Sequence, residues 1–572
     1  MIKFKNNISG IGTITITKIV LLFLITIICI CPDQSIAQKG EVIRDAEYYI
    51  LQAQNGEKWK EDDKKIDAKL AEIRKNNGGN PPNIIFILLD DLGFGEIGMP
   101  DLKIIRGYDT PNINKIAREG LSLERMYSEP SCTPTRVSMM TGRYPVRTGL
   151  TEAKATIAGE GLAAEEITIA EILRDAGYNT SHVGKWHMGD IEQAYANNQG
   201  FTHAEFPIHQ QGQLAIMHKD AEISDVIRSV DPDTELQTYT LDKSFVANPS
   251  HMVTGVEQRD GKLYEVDLKP GEKWTQNKYR EMNERYQENA LEQIRVLAKD
   301  DKPFFLNYWP LFPLTFIPSD VKEKTLNGGT VAGSIVEIDK WIGEIINEVG
   351  DLGISENTII IVMGDNGPFM QYAGITGASD RIYRGGKADH LEGGVRVNAF
   401  ILWPGVIEPG STAGDIVHVS DLFTTFARLA NAQKAIPTDR IIDGVDQSGV
   451  LLLGETHGRR DYVHIYEGPT LKSVVKNKFK MHLMAPGENP IAAPLYDLYR
   501  DPREERPTDS IKYGPWAGGQ FANMVKRHMA MKQKYPDRKP TYGVPYEGIE
   551  ELRPETVEMI EIFKLSQPQL KK

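Results

Sequence analysis

The 572-residue sequence predicts an α/β fold: a large mixed, mostly parallel sheet sandwiched by helices, with a smaller antiparallel-sheet subdomain at the C-terminal end. Two observations predict it. Continuous apolar runs such as Ile84-Ile85-Phe86-Ile87-Leu88-Leu89 have the pattern of strands buried on both faces of a parallel sheet, and they alternate with helical segments. After about Tyr462 the pattern changes to short alternating runs, as in antiparallel strands.

The elements follow in chain order. Lys3 and Lys5, the apolar run Ile19 to Ile30 and Ser35-Ile36-Ala37 read as the three parts of a signal peptide over residues 1–37, which implies a secreted or bacterial periplasmic protein. The run is shorter than the ~20 residues that span a bilayer, so no stable membrane anchor is expected; a retained anchor is the competing reading. Residues 38–80 form a helical N-terminal extension, with Ile66, Leu70 and Ile73 at helical spacing, broken by the Asn/Gly/Pro stretch from Asn76 to Pro82. It is expected to lie on the core, with a partner-binding helix as the alternative.

A catalytic domain over residues 81–455 comes next. After the first strand, Thr110 and Pro111 open a helix that Gly120 stops, and Thr168 opens another that runs to Ala176. Strands are expected at Asn179 to Val183, Phe304 to Tyr308, Thr358 to Met363 and Ala399 to Trp403, with a long helix from Thr330 to Val349. The stretch from Gly189 to Trp274 is loop-rich and is expected to cover the site. Residues 456–572 form the C-terminal subdomain and tail, with strands at Val463 to Tyr466, Lys480 to Leu483 and Pro494 to Leu498.

Composition excludes some functions. A formal net charge of −13 argues against nucleic acid as a partner, because that surface must be basic, but it leaves room for an anion in a locally basic pocket. Three cysteines are present, and two of them, Cys29 and Cys31, fall in the signal peptide. Cys132 then has no disulfide partner, which points to its own chemistry; the bland alternative is a small buried hydrophobe.

Parallel sheets bind ligands at the carboxyl ends of their strands. Two strands end there in acidic residues, one in Asp90-Asp91 and one in Asp365-Asn366-Gly367. Taken singly, such an ending is a loop start or helix cap. Two in one sheet supply the oxygen ligands that a hard divalent cation requires. Cys132 lies just before a helix start, with Thr133-Pro134 at the entry and Arg136 in the first turn, so free N–H groups and a guanidinium surround the thiol. Lys185 and His187 leave their strand on one face, with Trp186 on the other, and Arg384-Gly385-Gly386-Lys387 offers a further lysine. Solvated surface charge is the competing reading for each. Phe369, Tyr372 and Tyr383 are near the site in sequence and can stack on a ring or simply pack.

These motifs carry a resemblance. Cys132-x-Pro134-x-Arg136 with Thr141-Gly142-Arg143, and Gly177-Tyr178-x-Thr180-x-x-x-Gly184-Lys185-x-His187, resemble the two signatures of the type I, arylsulfatase-like sulfatases of the alkaline-phosphatase superfamily. The similarity runs from about residue 82 to at least 425 and includes both acidic endings and the Gly-Gly-Lys and Glu-Gly-Gly elements.

The resemblance implies that a maturation enzyme converts Cys132 to Cα-formylglycine, whose hydrate is the nucleophile. It also implies one calcium, or magnesium, bound by Asp90, Asp91, Asp365, Asn366 and residue 132. Arg136 then holds the hydrate, Lys185 and Lys387 bind sulfate oxygens, and His187 removes the remaining hydroxyl proton so that sulfate leaves. The expected substrate is a sulfated small molecule or glycan. One departure stands out. The family usually carries Pro-His where this chain reads Pro313-Leu314, which leaves Lys387 or one of His203, His209, His218 and His251 to assist the leaving group. The alternatives are a phosphodiesterase or phosphonate hydrolase of the same superfamily and a non-catalytic binder of sulfated glycans.

Overall fold

Strand β1, Asn83–Leu89, is buried along its whole length, and its alternate residues divide between two hydrophobic cores. Ile84, Phe86 and Leu88 face one core; Ile85, Ile87 and Leu89 face the other. That division by alternate residues is why the sequence reads as an unbroken apolar run rather than as a half-polar strand. The computed structural model describes residues 40–153, 159–207, 276–311, 330–369, 382–483, 493–508 and 517–543. The expected signal peptide, Pro313-Leu314, Tyr372, His209, His218, His251 and most of the loop-rich stretch lie outside the described residues. The described residues from Val42 onward belong to one compact unit.

The first core is completed by α3 (Cys132–Thr141), α4 (Ile169–Asp175) and α7 (Asp421–Leu429), which contribute Val137, Met139, Ile172, Leu173 and Phe423. The second takes Ile113 and Ile116 of α2 (Pro111–Glu119), Ala290 and Ile294 of α5 (Gln276–Leu297) and Ile335 and Ile342 of α6 (Thr330–Asp351). Between the layers run β2 (Leu121–Tyr127), β3 (Asn179–Gly184), β4 (His203–Glu205), β5 (Phe304–Trp309), β6 (Thr358–Gly364), β7 (Ala399–Leu402) and β8 (Ser411–His418). Their order is β8-β2-β7-β6-β1-β5-β3-β4. Strand β7 runs antiparallel to both neighbours, and every other pairing along this path is parallel, so the sheet is mixed and mostly parallel. The two-residue strand Arg396–Val397 also pairs with β2, antiparallel.

Helix ends follow the local chemistry, with two differences. Thr168 and Glu171 form a reciprocal capping box at the start of α4. Thr110 makes no side-chain cap to α2; the carboxylate of Asp339 on α6 accepts instead from the N–H groups of Asn112 (3.2 Å) and Ile113 (2.8 Å). A carboxylate delivered by a packed neighbour satisfies the same orphan donors, and spacing along one helix does not reveal it. Helix α3 begins at Cys132 itself, with Ser131 as its N-cap, so the cysteine is the first helical residue rather than the one before the helix.

The smaller sheet is antiparallel, in the order β9 (Tyr462–Glu467), β10 (Thr470–Lys476), β11 (Phe479–His482) and β12 (Leu495–Asp497). The N-terminal helix α1 (Ala46–Asn76) lays Leu51 and Trp59 into a core shared with Tyr462, Val474 and the late helix α8 (Gly519–Lys534). Among the described residues, no helix is long and apolar enough to cross a membrane.

Candidate active site

The parallel register of β1 with β6 sets Leu89 opposite Gly364, so the residues that follow each strand, Asp90-Asp91 and Asp365-Asn366, emerge side by side at the carboxyl end. Asp91 turns away from the strand with a φ of +55° and donates its N–H to Asp365 Oδ1 at 2.9 Å. Helix α3 aims its first turn at the same place. Cys132 Sγ lies 3.4 Å from Asp90 Oδ1 and 3.5 Å from Asp91 Oδ1. Asp90, Asp91, Cys132 and Asp365 each bring a ligand-type atom to within 4.8 Å of the others, and all four are buried.

Three cations close on this centre. Arg136 pairs with Asp365 and lies 3.5 Å from Asp90, Lys185 reaches Asp90 at 2.6 Å, and Lys387 reaches both oxygens of Asp91 at 2.8 Å. Lys387 Nζ is also 3.0 Å from Cys132 Sγ. Three carboxylates and three cations cancel, so a divalent ion among the carboxylates would leave the pocket with an excess of two positive charges, suited to an anionic substrate.

The charges shift one another. Burial opposes ionisation of Asp90, but Lys185, Lys387 and Arg136 outweigh it and hold that carboxyl well below the usual range. Asp365 is pushed up to about 7 by burial and then by the neighbouring Asp90 carboxylate. Burial, then Asp365 and Asp90, push the Cys132 thiol well above its ordinary value. As a thiol, residue 132 is therefore protonated, and a protonated thiol is a poor nucleophile.

Supporting contacts fix the frame. The Thr135 hydroxyl donates to the Asp365 carbonyl at 2.6 Å, and the Thr133 hydroxyl donates to the His187 carbonyl at 2.9 Å, which ties His187 beside residue 132. His187 itself has a φ of +55°. The Arg136 guanidinium stands 5.5 Å over the Trp309 ring, at the end of β5. Trp309 also accepts the Lys185 N–H on its carbonyl at 2.6 Å.

The fit to a hard cation rests on the donor set. Asn366 donates its amide to Asp91 Oδ1 at 2.8 Å, while its Oδ1 is buried without a hydrogen-bond partner. A buried, unpaired carbonyl oxygen beside three carboxylates is the acceptor set that calcium or magnesium takes.

The structure thus brings Asp90, Asp91, Cys132, Arg136, Lys185, Asp365, Asn366 and Lys387 together, with His187 adjoining. His203 opens β4 opposite Ser181, part-way along β3 rather than at the carboxyl ends. Trp309 and Thr135 are not singled out by sequence, and Thr133 is read there only as part of the helix entry. Both threonines sit inside the cysteine motif, a usable signal, whereas Trp309 is visible only as the last residue of an apolar strand.

Residues 82–432 match a family model described as Sulfatase. An N-acetylgalactosamine-6-sulfatase of Rattus norvegicus is 31% identical over 418 residues, covering 70% of this chain and 71% of the relative. Arylsulfatase A of Homo sapiens is 31% identical over 454 residues, 74% of this chain and 82% of the relative. The crystal structure of the PsFucS1 sulfatase from Pseudoalteromonas sp. superposes with a TM-score of 0.72 at 26% identity, covering 84% of this chain and 96% of that one.

Proposed function

The chain belongs to the sulfatase family, and from that premise we propose that it cleaves an aryl or carbohydrate sulfate through the hydrate of a formylglycine formed at residue 132, beside one calcium ion. As a member of that family it is a sulfuric ester hydrolase. The observation that carries the finer reading is a buried sulfur at the first turn of α3, ringed by three carboxylates and three cations. Burial and the Asp365 and Asp90 carboxylates disfavour the thiolate there, whereas an aldehyde hydrate offers an oxygen nucleophile.

A bound calcium, or magnesium, would acidify that oxygen and polarise the sulfate. Asp90, Asp91, Asp365 and Asn366 would hold the ion, with residue 132 as a further ligand. Arg136 orients the hydrate, since its guanidinium already meets the Cys132 carbonyl at 3.2 Å. Lys185 and Lys387 take the sulfate oxygens. The ionised hydroxyl of the hydrate attacks sulfur in line, the S–O bond to the leaving group breaks as the sulfuryl group passes to residue 132, and Lys387 protonates the leaving oxygen to release the alcohol. His187 then accepts the remaining hydroxyl proton, sulfate departs and the aldehyde returns. The partners this requires are a sulfated small molecule or glycan and a formylglycine-generating enzyme, and the N-terminal pattern fits export.

The test is expression with a maturation enzyme, peptide mass spectrometry at residue 132, and rates on matched sulfate and phosphate esters with and without calcium. We expect loss of sulfur at residue 132, preference for the sulfate, and no turnover in Cys132→Ala. Full activity with an unmodified thiol, or faster cleavage of the phosphate, would overturn the proposal.

A further inference from the structure

The loop that carries Lys387 runs from the buried centre to the surface within three residues. The Lys387 side chain is 8% exposed, whereas that of His390 is 22% exposed. The loop is tied to the nucleophile's own approach, because the Ala388 N–H donates to the Pro130 carbonyl at 2.6 Å. At its outer end His390 is gripped by the C-terminal sheet. Its backbone N–H and its Nδ1 both meet Glu467 Oε1, at 2.9 and 2.5 Å, where β9 ends in its hairpin.

The groups packed around His390 mix donors and acceptors. Asp389 Oδ1 lies 3.6 Å from its Nδ1, Lys472 of β10 lies 3.5 Å from the other oxygen of Glu467, and the His482 ring of β11 meets the His390 ring edge-on at 4.8 Å between centroids. On the inner side the Lys387 ammonium lies 5.3 Å over the ring of half-buried Phe369.

Electrostatics assign these groups a place on the substrate. The buried cations attract the sulfate, but carboxylates such as Glu467 and Asp389 repel it, so they suit the part of the molecule beyond the sulfate. A phenolic group calls for an apolar wall, whereas of the groups named here around His390 and Lys387 only Phe369 is apolar. Hydroxyl groups, which both donate and accept, match carboxylate and imidazole together, and the C–H face of a pyranose matches an aromatic ring.

We propose that His390 and Glu467, with Phe369, form the subsite that holds the sugar bearing the sulfate, so that the enzyme selects carbohydrate sulfates over phenolic ones. Glu467 holds the imidazole by Nδ1 and leaves Nε2 to the sugar. The inference rests on the sulfatase reading above.

The experiment uses the matured, calcium-loaded full chain, with 4-nitrophenyl sulfate and a set of monosulfated monosaccharides as probes. The quantity read is the ratio of kcat/KM for the best sugar sulfate to that for the aryl sulfate. Glu467→Gln and His390→Gln, checked for unchanged melting temperature, should each lower that ratio by about 10- to 100-fold, the effect of one lost hydrogen bond to a charged group, chiefly through KM. An unchanged ratio, a parallel loss on both substrates, or a wild-type enzyme that cleaves only the aryl ester overturns the subsite. Failure of the wild type on every sulfate ester overturns the sulfatase mechanism itself, which keeps the two failures distinct.

Discussion

Each residue at the centre is constrained by a partner that sequence spacing alone does not show. Lys387 is 296 positions from Asp91, yet bonds to both of its oxygens. Removing that ammonium in Lys387→Ala should lower kcat by about 10²–10³, the usual effect of losing one donor to developing negative charge; an unchanged kcat would place the side chain outside the reaction. Asn366 plays a different part. Its unpaired Oδ1 points to a metal ligand, so Asn366→Ala should weaken calcium binding measured by titration while leaving the content of modified residue 132 unaltered. Equal calcium affinity in the variant would remove Asn366 from the ligand set. The identity of these residues was legible from the motifs; the pairing of each cation with a particular carboxylate was not.

Elements bring those residues together through close backbone approach. A Cβ on Gly367 would stand 1.7 Å from the Gly393 carbonyl, so the loop after β6 and the Glu-Gly-Gly turn touch where only glycine fits. Gly367→Ala should therefore separate the acidic loop from the lysine loop and reduce activity more than stability, read by comparing kcat with the melting temperature. Beneath the same turn, Glu392 Oε1 pairs with Lys480 of β11 at 3.1 Å, and Glu504 accepts from both the Glu392 N–H (2.6 Å) and Lys480 (3.3 Å). Burial opposes ionisation of Glu504, but Lys480 and His482 hold its carboxyl down at about 2. A depressed carboxyl stabilises the fold fully above its unfolded value, near 4.5, and loses that contribution as pH falls toward 2. Glu504→Gln should accordingly cost most stability at pH 7, with the gap to wild type narrowing below pH 4.5, as urea midpoints at several pH values would show. A gap of constant size across that range would mean that Glu504 contributes nothing through its charge.

At the scale of the whole molecule, residues far apart in the chain meet in buried ion pairs. Arg147 binds Asp443 through Nε and Nη2 and also binds Asp45, just ahead of α1, at 2.8 Å; His528 of α8 meets the same Asp45 oxygen at 2.7 Å. Arg147→Met leaves two buried carboxylates without their cation and should destabilise the protein by about 3–5 kcal/mol in denaturant unfolding. A loss below ~1 kcal/mol would show that His528 and water suffice. The sequence by itself marked β1, β3, β5, β6, β7, β9, β11 and β12 and the helices α1 to α4 and α6, because alternating and 3.6-residue apolar patterns are local properties, but it passed over β2, β4, β8, β10, α5, α7 and α8. It made the residues of the centre legible, because motif residues lie within a few positions of one another. It also led to expecting Thr110 as the cap of α2 and Cys132 ahead of its helix. Tertiary structure decided otherwise: Asp339 supplies that cap, and α3 starts at the cysteine. Only the folded chain sets Asp90 beside Asp365, Arg136 over Trp309 and Glu467 against His390. Those contacts depend on strand order and register, which arise from the packing of both sheets at once and leave no mark within any single segment.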